Sequence, residues 1–164
     1  MDAQRAIRLL RHKAEELGID PEKTGMLGFS AGGNLAVFTG ASGVEMTYEK
    51  IDQADELSAR PDFLVTIYPA YMQESKSLAV DASTWVDAKT PPTFIAVSHN
   101  DVFAPSSVAL YSALLKAEVA AELHIYPDGG HGYGLGRPGS RAAAWPAACA
   151  LWLQGIGAVS HAER

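Results

Sequence analysis

Apolar residues recur at three- and four-residue intervals through Ala3, Ala6, Ile7, Leu10, Ala14 and Leu17. This spacing predicts an opening helix whose other faces carry Arg5, Arg8, Arg11, Lys13, Glu15 and Glu16. Gly18 stands where a helix C′ residue belongs, and Asp20-Pro21 begins a turn. Met26-Leu27-Gly28-Phe29 is a short apolar run with no polar alternation, as in a buried strand. The small, apolar stretch from Ala31 to Thr39 predicts a second helix ending near Gly40. Residues 41–61 are mixed and polar, and predict a long loop with one helical turn. A second strand, Phe63 to Tyr68, is apolar throughout and closed by Pro69, as expected for a strand covered on both faces of a parallel sheet.

Residues 70–90 are irregular, with Trp85 and Val86 as their bulky apolar pair. Pro91-Pro92 then precedes a third strand, Thr93 to Ser98. A helix from about Pro105 to Ala117 is expected to bury Val108, Leu110, Tyr111, Leu114 and Leu115. Glu122 to Tyr126 alternates polar and apolar, which suits an outer strand. A glycine-rich loop, Asp128 to Gly139, leads into a last helix ending at Leu153. Strand and helix patterns alternate four times, which predicts an α/β layer fold with about four mostly parallel strands flanked by helices.

Composition narrows the function classes. A chain of 164 residues fits one domain, and 48% apolar with 20% charged residues is ordinary for a soluble globular protein. The net charge of −6 argues against nucleic acid as a partner, because affinity for phosphate backbones comes from Lys and Arg. The single cysteine, Cys149, forms no internal disulfide and lies on an apolar helix, where it reads as core. No apolar run reaches the ~20 residues of a membrane span, and the opening residues form no signal-peptide core. A cytoplasmic protein without membrane partners is therefore expected of the chain as written.

Gly28-Phe29-Ser30-Ala31-Gly32 matches Gly-x-Ser-x-Gly between a strand and a helix. There the serine occupies a sharp turn, the flanking glycines relieve crowding, and the helix N-terminus lies under the serine hydroxyl. Asp101 falls just past the third strand and His131 just past the fourth. In a parallel sheet these ends share one edge, where sites of open α/β sheets form. The order Ser, Asp, His, with gaps of 71 and 30 residues, is that expected of an α/β-hydrolase. Asp128 stands too near His131 in the chain to be the acid, and Asp87 lies in the irregular segment. His99 reads as structural or surface, His12 and His161 as solvated, and His124 as part of the outer strand. No His, Cys or carboxylate spacing marks a metal site, and no phosphate-binding loop marks a nucleotide.

Gly-Ile-Asp-Pro-Glu-Lys before the first strand, Gly-Phe-Ser-Ala-Gly-Gly-Asn after it, and Arg-Pro-Asp-Phe and Tyr-Pro around the second resemble α/β-hydrolase carboxylesterases. Pro-Pro-Thr-Phe, Asp101-Val-Phe-Ala-Pro105 and Gly-Gly-His-Gly-Tyr-Gly extend the resemblance over residues 5 to 154, nearest to the acetylxylan-esterase and acetyl-esterase branch. The resemblance implies Ser30 as nucleophile, His131 as general base and then acid, Asp101 as the orienting carboxylate, and Ala31 N–H as an oxyanion donor. It implies hydrolysis of a small, short-acyl ester through an acyl-enzyme, with no cofactor.

A full α/β-hydrolase carries about four more strands before its serine, so the resemblance implies an N-terminally truncated domain. The His-Gly-Gly-Gly-like loop that supplies a second oxyanion donor has no counterpart in the sequence. One missing donor costs ~10²–10³ in rate, so weakened activity is expected. A serine peptidase or amidase, or a catalytically silent assembly module, are the alternatives. Tyr71, Met72 and Trp85, in the one segment that could cap the site, are the expected substrate contacts. The strand Met26 to Phe29 would have a bare edge, which predicts a homodimer.

Overall fold

The structure is a computed structural model that describes residues 2–42, 46–70 and 86–159. Tyr71, Met72, Trp85 and His161 lie outside the described residues. Four strands, β1 (Met26–Phe29), β2 (Leu64–Ile67), β3 (Thr93–Ser98) and β4 (Ala121–Tyr126), form one sheet in the order β1-β2-β3-β4. Every pairing is parallel. All residues of the inner strands β2 and β3 are buried, which accounts for their unbroken apolar runs. The outer strands β1 and β4 are only partly covered.

Helices close both faces of this sheet. On one face α5 (Trp145–Gly155) packs Trp145, Cys149 and Trp152 against Val65, Ile67, Phe94 and Ala96. On the other, Val37 of α3 (Ala31–Ser42) and Leu110, Ala113 and Leu114 of α4 (Ala104–Lys116) pack around Ile95. The buried stripe of α4 differs from that expected. Val108 is 46% exposed and Leu115 65% exposed, and Ser106 and Ser107 are buried in their place. Helical spacing admits both stripes, and the small serines let the first turn of α4 approach the sheet.

The opening helix breaks at Lys13 into α1 (Asp2–His12) and a short turn, α2 (Ala14–Leu17), which Gly18 closes in the left-handed conformation. Three arginines on the faces away from the apolar stripe are turned against the chain rather than left to solvent. Arg5, Arg8 and Arg11, at three-residue spacing, run along the loop of residues 46–62 and hold it. Arg5 pairs with Asp52 and Asp55, Arg8 with the Leu57 carbonyl and the Tyr48 hydroxyl, and Arg11 with Asp62. Arg8 is 4% exposed. The polar loop is thus covered by a helix, and charge-assisted hydrogen bonds replace apolar packing there.

Candidate active site

Three strand ends build the site. β1 runs directly into Ser30, whose φ of 51° is unusual for a residue with a side chain. Backbone bonds on both sides fix this turn. Ser30 N–H donates to the Ile67 carbonyl, while the Ser30 carbonyl accepts from Gly33, Asn34 and Ala70 N–H. A Cβ on Gly28 would meet the Gly32 carbonyl oxygen at 2.0 Å, so the turn needs glycine there. A Cβ on Gly32 would meet nothing within 4 Å. Only the first of the two flanking glycines therefore relieves crowding, which corrects the expectation for the pair. Ala31 opens α3, so its N–H has no partner within the helix.

Ser30 Oγ lies 2.8 Å from His131 Nε2. His131 Nδ1 lies 2.9 Å from Asp101 Oδ2. The Asp101 side chain is fully buried, and its other oxygen accepts the Phe103 N–H at 2.8 Å. With one carboxylate oxygen on a backbone amide and the other on Nδ1, the buried carboxylate favours the tautomer that leaves Nε2 free to accept from Ser30. The three residues singled out by motif and order thus form one chain of hydrogen bonds at the C-terminal edge of the sheet.

The other candidate acids and histidines, and Cys149, form none of these bonds. Asp128 accepts from Ser140 Oγ and Arg141 N–H, bonds that hold its carboxyl below the usual range and anchor the turn before α5. Asp87 accepts from Lys89 N–H in its own turn. His99 and His12 are exposed, and His124 pairs with Glu122 at 2.5 Å on β4. Burial pushes the Cys149 thiol up to about 11, so it stays protonated at neutral pH.

Sequence reasoning missed the residues around the imidazole. The rings of Tyr68 and Phe103 stand edge-on to His131 with centroids 5.1 and 5.0 Å away. Tyr68, just past β2, adopts a φ of 40°, strained for a bulky residue. The one trace in the sequence is position, because Tyr68 closes the apolar run of the second strand and Phe103 follows Asp101 by two residues.

With this geometry in place, the chain can be set beside known proteins. A solved acetyl ester-xyloside bifunctional hydrolase from Caldicellulosiruptor lactoaceticus superposes with a TM-score of 0.82 at 34% identity, over 97% of this chain and 66% of that one. The chain has the α/β-hydrolase fold. The BD-FAE family model matches residues 1–68 of this chain. Esterase 2 of Thermogutta terrifontis, solved after phosphorylation by paraoxon, is similar at 28% identity with a TM-score of 0.80, over 98% of this chain and 64% of that one. An acetylxylan esterase of Xylanibacter ruminicola is 26% identical over 82% of this chain and 31% of its own length. The chain therefore spans about two thirds of those solved chains and under a third of the acetylxylan esterase.

Proposed function

We propose that the chain hydrolyses short-acyl carboxylic esters, acetyl esters first, with Ser30, His131 and Asp101 as a catalytic triad. The observation that carries this reading is the serine hydroxyl held on an imidazole whose far nitrogen meets a buried carboxylate. His131 Nε2 takes the Ser30 proton as Oγ attacks the ester carbonyl. The carbonyl oxygen becomes an oxyanion facing the Ala31 N–H, with the positive end of α3 behind it. The tetrahedral intermediate collapses as His131 returns the proton to the departing alcohol, leaving an acyl-Ser30 ester. Water, deprotonated by His131, then attacks this ester, and His131 returns that proton to Ser30 Oγ as the carboxylic acid departs. Asp101 stabilises the transient imidazolium in both halves.

The acyl preference is supported by the relatives, whose names specify acetyl esters. A serine nucleophile is supported by the phosphorylation of a related esterase by paraoxon. The same reagent supplies the test. Paraoxon should add one diethylphosphoryl group to this chain, mapped by peptide mass spectrometry to Ser30. Label on any other residue, or none, would contradict the assignment. Acetate esters should turn over faster than ten-carbon esters, and the reverse order would overturn the short-acyl reading.

A further inference from the structure

His131 sits on a loop that glycine makes hard to hold. Gly130 and Gly132, on either side of it, lie at φ of 65° and 76°. Glycine loses more conformational freedom on ordering than any other residue. The histidine nonetheless meets both Ser30 and Asp101 at hydrogen-bond distance.

Four side chains from outside the loop grip its backbone at two residues. At Gly130, the N–H donates to Asn100 Oδ1 at 2.9 Å and the carbonyl accepts from Ser98 Oγ at 2.6 Å. At Gly134, the N–H donates to the Tyr68 hydroxyl at 3.0 Å and the carbonyl accepts from Trp145 Nε1 at 2.9 Å. Both polar groups of the residue before His131, and of the residue three after it, are thereby taken. The two grips on Gly130 come from the end of β3, the segment that also carries Asp101. Burial does not explain Asn100, which is exposed.

We propose that Asn100 and Ser98 are positioning residues for His131, tying its loop to the strand end that carries Asp101 so that imidazole and carboxylate keep one geometry. The inference rests on the esterase reading above. A shift of about 1 Å in a reacting group can cost 10²-fold in rate, so a clamp one residue from the imidazole acts where small displacements matter most.

The test compares wild type with Asn100→Leu, which removes the acceptor, and Asn100→Asp, which keeps it. Turnover of p-nitrophenyl acetate, melting temperature and the downfield proton resonance of the His131 Nδ1–H hydrogen bond are read on each. Asn100→Leu should lower kcat by about 10-fold with KM within about twofold, melt near wild type and broaden the resonance. Asn100→Asp should restore kcat to within about threefold together with a sharp resonance. Ser98→Ala, which frees the carbonyl of the same residue, Gly130, should repeat the Asn100→Leu pattern. Wild-type kcat and a sharp resonance in Asn100→Leu would overturn the proposal, as would a resonance absent from wild type. If wild type itself shows no turnover the esterase reading fails, and the resonance alone then decides the clamp.

Discussion

The first and last glycines of the serine turn press on each other unequally: a Cβ on Gly28 would lie 2.0 Å from the carbonyl oxygen of Gly32. That contact is with backbone, so no rotamer change relieves it. Gly28→Ala should destabilise the fold by about 3 kcal/mol or more, because strand and helix would have to part. Gly32→Ala places its methyl in open space within α3 and should be neutral or stabilising by up to ~1 kcal/mol. Urea unfolding of both variants checks the contrast, and equal losses would contradict it.

Acid should loosen the loop that α1 holds. Burial alone would raise the Asp55 carboxyl, but hydrogen bonds from Tyr48, Ile51 N–H and Arg5 outweigh it and hold the group well below the usual carboxylate range. A carboxyl depressed in the folded state adds stability that is complete above its unfolded value, near 4. That stability is lost as pH falls below this value toward the folded one. Asp55→Asn should therefore lower the melting temperature more at pH 7 than at pH 3. A difference that does not shrink in acid would refute the pairing.

Two buried hydroxyls in α4 have no hydrogen-bond partner among the described residues, Ser106 Oγ and Ser107 Oγ. Both residues are 0% exposed. An unsatisfied buried hydroxyl is costly, and alanine is the better helix former. Ser107→Ala should stabilise by about 1 kcal/mol, read as a rise in melting temperature. A clear fall would mean that the hydroxyl is satisfied.

β1 is an edge strand among the described residues, with Leu27 50% exposed. Met26 and Ser30 N–H donate toward β2, which leaves the backbone of Leu27 facing outward. A bare apolar edge pairs with another strand, and a second copy is the partner always present. Light scattering at micromolar concentration should give twice the chain mass, and a Leu27→Lys variant should shift it toward the monomer. A monomeric wild type would contradict edge pairing.

The residues that meet at the site were legible because their signals are local. Ser30 sits in a five-residue motif, Asp101 follows an apolar run read as a strand, and His131 follows an alternating run read as another. The parallel order then fixed their common edge. The partners of the α1 arginines were not legible, because side-chain periodicity says which residues share a face, not what lies opposite. A polar loop packed by ion pairs has no apolar signature to reveal it. Val108 and Leu115 were misplaced for a related reason, since α4 offers two stripes and the sheet selects the one with the smaller residues. Tyr68 and the hold on Gly130 depend on contacts between segments some thirty to seventy residues apart, which one sequence does not display.

The most direct test of the triad is kcat/KM for p-nitrophenyl acetate in wild type and Ser30→Ala, measured side by side. Wild type should exceed buffer hydrolysis clearly, even if a single oxyanion donor holds it ~10²–10³ below a full site. Ser30→Ala, folded to the same circular dichroism spectrum, should lose about 10⁴-fold or fall to background. Equal turnover in the two proteins would contradict the assignment of Ser30 as nucleophile and, with it, the proposed function.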